Sequence, residues 1–191
     1  MTANVNAKLL KRPNPLRMAL VMMVNPGAVL KKAVAGVPWP FSLCISGLAF
    51  TLLFLQTGLD LLRTGQRGVG FVVLLCLAGL FFGTLGIAML AVAAWVITKI
   101  FKGDKPLKWV VSAFGLGYCS TLIFSMLGLL FSLVFQWNTS VAFGVTGLLW
   151  ATGPLIASVR EMSRENTALA VIVATVCSAL LLLGWAILGN A

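Results

Sequence analysis

The feature that most constrains this chain is the presence of five long apolar runs, separated by short polar segments that carry its basic residues. Each run has about 20 residues or more, the length that a helix needs to cross the ~30 Å hydrocarbon core of a bilayer. The sequence therefore predicts an all-α integral membrane protein, a five-transmembrane-helix bundle. The runs cover residues 41–62, 69–101, 109–135, 141–159 and 167–188.

The distribution of the 14 Lys and Arg residues predicts the orientation of the bundle. Two of them, Arg63 and Arg67, fall on one side of the five spans, and the other twelve fall on the opposite side. Basic residues close to membrane spans collect on the cytoplasmic side, so we expect a cytoplasmic N-terminus and a C-terminus on the other face, N-in/C-out. The twelve are Lys8, Lys11, Arg12, Arg17, Lys31, Lys32, Lys99, Lys102, Lys105, Lys108, Arg160 and Arg164.

The second run, residues 69–101, could form one helix of about 50 Å or two short segments that fold back near Gly83 and Gly86. A fold-back would reverse every later span and leave six basic residues inside and eight outside. The positive-inside rule therefore favours one long helix, tilted or extending past the bilayer.

The sequence predicts that residues 1–40 form a cytoplasmic basic segment that ends in a short amphipathic helix on the membrane surface. Asn25 can cap a helix whose first position is Pro26, a residue with no N–H to leave unpaired. An interfacial helix turns its apolar side to lipid, and we expect this side to be Val29, Leu30, Ala33 and Val34. Contacts with the lipid interface are expected from Lys31, Lys32 and Trp39.

Composition excludes several classes of function. With 60% hydrophobic and 9% charged residues the chain is not a soluble globule. It has no His, and its four cysteines lie singly inside apolar runs, so we expect no catalytic site, no cofactor and no metal. The net charge of +10 lies at helix ends, where topology and anionic lipid headgroups account for it, so no nucleic-acid partner is expected.

Small residues recur along three of the predicted spans at heptad-like spacing. Helices in lipid associate through close backbone approach at such positions, which predicts a tightly packed bundle within one chain. A homo-oligomer that uses the GxxxG match at residues 79–83 stays open as an alternative. The packing positions are Gly79, Gly83, Gly86, Gly117, Thr121, Ser125, Gly144, Gly147, Ala151 and Pro154.

One polar face stands out at the end of the first span, where Gln56, Asp60, Arg63 and Arg67 follow one another at spacings of four, three and four. One interpretation is a docking face for a partner or a binding site for a polar ligand. The other, which we favour, is an ion pair of Asp60 with Arg63 or Thr64 that closes the helix end.

Five helices after a cytoplasmic N-terminal region resemble the Yip (Ypt-interacting protein) domain family, and the resemblance covers nearly all of residues 20–188. Leu122 stands four residues after Tyr118, where family members commonly have Pro, so no kink is expected there. The similar features are the segment Asn25-Pro26-Gly-Ala-Val-Leu-Lys-Lys, the long second helix that ends in Lys-Gly-Asp-Lys, the tripeptide Gly117-Tyr118-Cys119, and Leu149-Trp150.

The resemblance implies a non-enzymatic membrane protein. Eukaryotic Yip proteins engage small GTPases, whereas the compact form seen here is similar to bacterial members, some of which are thought to accompany ABC-type exporters. We therefore expect an accessory, assembly or regulatory subunit of a larger membrane complex, located in the cytoplasmic membrane if the source is bacterial. The alternative is a small oligomeric transporter or channel for apolar or weakly polar solutes, lined by Thr121, Ser125, Ser132 and Ser158.

Overall fold

The computed structural model describes residues 14–32 and 34–190, and within these ranges the chain is helical almost throughout and has no strand. The helices are α1 (Pro15–Val24), α2 (Pro26–Lys32), α3 (Trp39–Arg63), α4 (Val69–Ile100), α5 (Leu107–Phe135), α6 (Ser140–Met162) and α7 (Thr167–Asn190). Five of them, α3 to α7, are long and apolar enough to cross a membrane, which confirms the predicted all-α architecture and indicates an integral membrane protein.

Helix α3 has ends that the local sequence explains. Pro38 precedes it and Pro40 lies in its first turn, where a backbone N–H would have no helical partner. At the other end Gly65 adopts a left-handed conformation with φ +70°, and its N–H donates to the carbonyl of Leu62 at 3.1 Å. This glycine cap ends the helix and begins the short connection to α4.

Helix α4 is a single long helix and does not fold back. It contains one π-helical segment, Phe82–Gly86, in which the backbone turn is wider than in an α-helix. Phe82 is the first residue of this segment, and its ring lies 5.4 Å from the ring of Phe50 and 5.8 Å from that of Phe54, measured between centroids. The π segment thus lies in contact with α3.

Helix α5 is interrupted at Tyr118, although the absence of a proline four residues later predicts no kink. Its two parts are Leu107–Gly117 and Cys119–Phe135, and Tyr118 between them has φ −87° and ψ 11°. The Tyr118 ring packs 5.3 Å from the Phe50 ring of α3. The interruption coincides with tertiary packing on α3 and does not involve a proline.

Helix α3 lies at the centre of the bundle and packs against α4, both parts of α5 and the start of α6. It is the most buried of the five spanning helices, whereas α7, which packs mainly against α6, is the least buried. The largest fully buried side chains include Phe50, Phe54, Phe114, Tyr118 and Leu155.

Helices α1 and α2 pack against the bundle. Asn25 caps α2 as predicted, because its Oδ1 accepts from the N–H of Ala28 at 3.1 Å. The expectation that Val29, Leu30 and Val34 face lipid is wrong, since all three are buried in contact with the protein core. Their apolar side has a protein partner in α6 and α5, which sequence periodicity cannot distinguish from a lipid partner. Residue 33 and the basic residues before residue 14 lie outside the described ranges.

Candidate functional site at the Arg63 end

Asp60 joins the last turn of α3 to the start of α6. We call this end of the bundle the Arg63 end and the opposite one the Lys105 end. The Asp60 carboxylate is almost fully buried, and its Oδ2 accepts hydrogen bonds from the backbone N–H groups of Thr139 (3.0 Å) and Ser140 (2.9 Å). The first N–H groups of a helix have no partner inside it and favour a negative charge. Asp60 therefore acts as an N-terminal cap of α6 supplied from another helix.

Arg63 binds the opposite kind of helix end. Its guanidinium donates to the side-chain oxygen of Ser132 (2.7 Å), the carbonyl of Ser132 (2.6 Å) and the carbonyl of Trp137 (2.9 Å). These acceptors lie at and just after the C-terminal end of α5, where unpaired carbonyls favour a cation. Arg63 Nη1 also lies 3.6 Å from Asp60 Oδ1. One turn of α3 thus holds both the end of α5 and the start of α6.

Gln56 lies one turn deeper and is completely buried. Its Nε2 donates to the carbonyl of Ser125, and its Oε1 has no hydrogen-bond partner among the described residues. Gly128 makes room for the amide, because a Cβ at that position would lie 2.7 Å from Gln56 Oε1. Gln56 is therefore an interior contact between α3 and α5 and does not contribute to an exposed docking face.

Arg67 is separate from this group. It lies in the connection after α3, with its guanidinium carbon 4.9 Å from the centroid of the Phe71 ring. The polar face anticipated from the sequence therefore divides into Gln56, Asp60 and Arg63, which bind backbone groups of other segments, and Arg67, which lies over an aromatic ring of α4.

A cavity of about 240 Å³ lies between α3, the start of α6 and the end of α7, with Asp60 among its lining residues. One wall is fixed by a hydrogen bond from Trp185 Nε1 to Thr57 Oγ1 at 2.9 Å. The lining is mainly apolar, with one carboxylate and two hydroxyl-bearing residues. It consists of Thr57, Asp60, Leu61, Ser140, Val141, Trp185, Ala186 and Gly189.

The glycines predicted to pack α4 differ from one another. A Cβ on Gly79 would lie 2.6 Å from the carbonyl oxygen of Phe50, and one on Gly83 would lie 2.5 Å from that of Ser46. Both glycines therefore allow α4 to approach α3 closely inside one chain. A Cβ on Gly86 would meet only the Phe82 ring of its own helix, at 3.7 Å. Because the GxxxG pair packs on α3, it is not on a face open to a second copy.

Several of the predicted packing positions of α5 and α6 lie in contact between these two helices, and one packs on α3. Thr121 Oγ1 donates to the carbonyl of Gly147 at 2.9 Å, and a Cβ on Gly147 would lie 2.9 Å from the Cα of Thr121. A Cβ on Gly117 would make only ordinary contacts with Leu155 and Pro154. Gly144 accommodates a methyl group of Leu53 from α3. Ser125, Ala151 and Pro154 are also buried here.

Sequence analysis missed two contacts that shape the bundle. Gly115 meets the backbone of α3 as closely as any glycine of α4, because its Cβ would lie 2.5 Å from the carbonyl oxygen of Ser42. Trp185 near the end of α7 binds Thr57 through its indole N–H. Neither residue belongs to a periodic pattern that singles it out, and a tryptophan at a span end is ordinarily attributed to the membrane interface.

The Lys105 end carries exposed charges. Lys31 lies 3.9 Å from Glu165, and both side chains are more than half exposed, so this pair contributes little stability. Lys105 pairs with Glu161 at 3.2 Å, and Trp39, the first residue of α3, is about half exposed. The side chain of Lys32 lies outside the described parts of the structure.

Across residues 14–32 and 34–190, no group of three or more His, Cys, Asp or Glu side chains could hold a metal ion. Compared with models of protein families, with curated proteins and with solved structures, the chain matches none of them. The proposed function therefore rests on the positions and contacts of the residues of this chain.

Proposed function

We propose that the protein is a non-enzymatic accessory subunit that assembles with, stabilises or regulates a larger membrane complex. The observation that carries this proposal is that four polar side chains of α3 and α5 are engaged in contacts inside the chain. Gln56, Asp60, Arg63 and Thr121 each bind a backbone group of a neighbouring helix. Because these side chains bind within the chain, the membrane-facing surface and the exposed charges are the regions that remain for contact with other molecules.

The exposed faces of α4 and α7 support a role in helix–helix contact. These two helices have the highest mean hydropathy of the five and the smallest buried share. Close contact between them occurs at Gly184, where a Cβ would lie 2.6 Å from Cζ of the Phe82 ring. One partner helix could contact both, with Leu77 of α4 and Leu180 of α7 as exposed apolar residues on the two faces.

The orientation, the type of membrane, the lipid contacts and the identity of the partner complex are proposed from the sequence. The charge asymmetry supports a cytoplasmic Lys105 end and a C-terminus on the other side, in the cytoplasmic membrane if the source is bacterial. Lys31, Lys32 and Trp39 would then face anionic headgroups. The resemblance to compact Yip-domain proteins supports an exporter of the ABC type as the partner complex.

A small transporter or channel is the second candidate, but the buried positions do not favour it. Thr121, Ser125, Ser132 and Ser158, the residues expected to line a path, are all completely buried. Ser158 donates to the carbonyl of Pro154 at 2.8 Å, and Ser132 accepts from Arg63. The cavity beside Asp60 includes none of the four.

The proposal is tested by purifying the tagged protein in mild detergent from its native host and identifying co-purifying membrane proteins by quantitative mass spectrometry. We expect a partner at a stoichiometry close to one. Leu77→Trp and Leu180→Trp form a matched pair on the two exposed faces, and we expect the variant on the contacting face to release the partner. Recovery of this chain alone, as a monomer or homo-oligomer, would contradict the accessory role and favour the transporter.

A further inference from the structure

We propose that two connections at the Lys105 end together bind one phospholipid with two phosphate groups. The connections are residues 101–106, between α4 and α5, and residues 163–166, between α6 and α7. Lys102, Lys108 and Arg164 contact the phosphates, and exposed apolar residues beside them contact the acyl chains. This site does not depend on the accessory role proposed above.

The two connections lie against each other. A Cβ on Gly103 would lie 2.7 Å from the carbonyl oxygen of Met162, so the backbones are in direct contact. Lys102 and Arg164 are each within two residues of this contact, one on either connection. Lys108 lies in the first turn of α5, which follows the first connection. Tertiary packing therefore gathers basic residues from two distant parts of the chain.

The carboxylates of this region are mostly paired with other cations. Glu161 lies 3.2 Å from Lys105, and Glu165 lies 2.6 Å from Arg160. Asp104 is the third carboxylate, and it forms no ion pair with the described residues. One exposed carboxylate remains to offset the basic residues that have no such partner.

Three cations of the region lack a partner of opposite charge among the described residues. They are Lys102, Lys108 and Arg164, and all three are exposed. Residues 99–108 and 160–165 carry six Lys and Arg and three Asp and Glu, a net charge of +3. A single phosphodiester has one negative charge and would neutralise one of the three cations. A second phosphate adds acceptors for the others, because Lys and Arg form their strongest hydrogen bonds with anionic oxygens.

Exposed apolar residues beside these cations favour a lipid over a soluble anion. Ile100 and Phe101, which precede Lys102, are 75% and 52% exposed. Leu107, which precedes Lys108, is 37% exposed. A free diphosphate or an acidic peptide would leave this apolar surface uncovered, whereas acyl chains would cover it.

Two tryptophans indicate that the site lies at the depth of the headgroups. Lys99 Nζ lies 5.7 Å from the centroid of the Trp95 ring, and Lys105 Nζ lies 5.4 Å from that of Trp109. Trp95 Nε1 donates to the carbonyl of Lys105 at 3.1 Å, so the first connection folds back along the end of α4. Tryptophan is enriched where hydrocarbon meets headgroups, and basic pockets between spanning helices at this depth suit lipid phosphates.

Phosphatidylinositol 4-phosphate and phosphatidylinositol with identical acyl chains are the matched pair of probes. They differ only in the second phosphate, so the ratio of their affinities isolates its contribution. Inositol 1,4-bisphosphate has both phosphates without acyl chains and distinguishes a lipid from a soluble diphosphate. A hexaglutamate peptide represents an acidic segment of a protein partner.

The experiment is native mass spectrometry of the full-length protein in detergent, titrated with each probe. We expect one phosphatidylinositol 4-phosphate to bind at least about tenfold more tightly than phosphatidylinositol, the size expected for one charge-assisted hydrogen bond. We expect no bound inositol 1,4-bisphosphate at the same concentration. Equal affinities for the two lipids overturn the proposal. So does binding of inositol 1,4-bisphosphate as tightly as the lipid, or displacement of the lipid by an equal concentration of hexaglutamate.

Asparagine substitutions remove single charges without disturbing the backbone. Lys102 and Arg164 have left-handed φ values of 61° and 53°, a conformation that Asn adopts readily. We expect Lys102→Asn and Arg164→Asn each to weaken binding of phosphatidylinositol 4-phosphate about fivefold, the effect of one basic residue near an anionic lipid. Arg67→Asn removes the same charge at the Arg63 end, and we expect unchanged binding. Full binding by both site variants, or an equal loss with Arg67→Asn, would overturn the assignment.

Discussion

Gly83→Ala tests the close approach of α4 to α3. The added Cβ would lie 2.5 Å from the Ser46 carbonyl oxygen, 2.8 Å from the Cβ of Phe50 and 2.9 Å from the Cα of Gly47. Two of these three contacts are with backbone atoms, so no flexible side chain can move away and the two helices must separate. Overpacking of this kind costs about 1–3 kcal/mol.

Gly86→Ala is the matched control because it lies one turn away in the same π segment. Its Cβ would lie 3.7 Å from the Phe82 ring, an ordinary contact. Alanine favours a helix over glycine by up to about 1 kcal/mol at either position, so this effect cancels in the comparison. We expect Gly83→Ala to be less stable than Gly86→Ala by about 1–3 kcal/mol.

The measurement is unfolding by sodium dodecyl sulfate in dodecyl maltoside micelles, followed by tryptophan fluorescence and circular dichroism. Gly79→Ala is a second variant of the same kind, since its Cβ would lie 2.6 Å from the Phe50 carbonyl oxygen. We expect it to lower the stability as Gly83→Ala does. Equal midpoints for Gly83→Ala and Gly86→Ala would show that the α3–α4 approach is not as close as described, and would refute the reasoning.

Further predictions concern the polar bridge, the interior seam and the orientation. Asp60→Ala should lower the free energy of unfolding by about 1–3 kcal/mol in the same titration, because two buried N–H groups lose their acceptor; a change below about 0.5 kcal/mol would argue against the cap. Arg63→Met should lower it by about 1.5–3 kcal/mol through the lost contacts with α5, and an unchanged midpoint would contradict this. In a cysteine-free background, Ser125→Cys should resist a membrane-impermeant thiol reagent that labels Gln136→Cys, whereas rapid labelling of both would support a water-filled path. Gln136→Cys should be labelled from outside intact cells and a cysteine at Lys102 only after lysis; the reverse pattern would overturn the proposed orientation.

The five candidate spans could be identified from the sequence because hydrophobic length is a local property. The second run forms α4 over Val69–Ile100, close to the anticipated 69–101, and its charge pattern had already favoured one helix over a fold-back. The Asn25 cap of α2 was also readable, since a cap depends on residues within one turn. Which small residues make close contacts was not readable, because Gly83 and Gly86 look alike in sequence.

The candidate site was only partly predictable, because local sequence does not show which distant residues its side chains contact. The spacing of Gln56, Asp60 and Arg63 places them on one face of a helix, and that much follows from helical geometry. Their partners lie on α5, at the start of α6 and in the loop between these helices, roughly 70 to 80 residues away in the chain. Periodicity carries no information about such partners, so the pattern favoured an ion pair at the helix end and could not show that Asp60 and Arg63 bind the ends of two other helices.

The sequence by itself determined that this chain forms five apolar helices, because burying a backbone in hydrocarbon requires every N–H and C=O to be paired within its own segment. Only the tertiary structure decided which faces meet. It placed Gly79 and Gly83 on α3, turned Val29 and Leu30 towards protein, and gave Asp60 a helix end to cap. In lipid all apolar faces are equally well solvated, so close packing and polar contacts between distant segments choose among them.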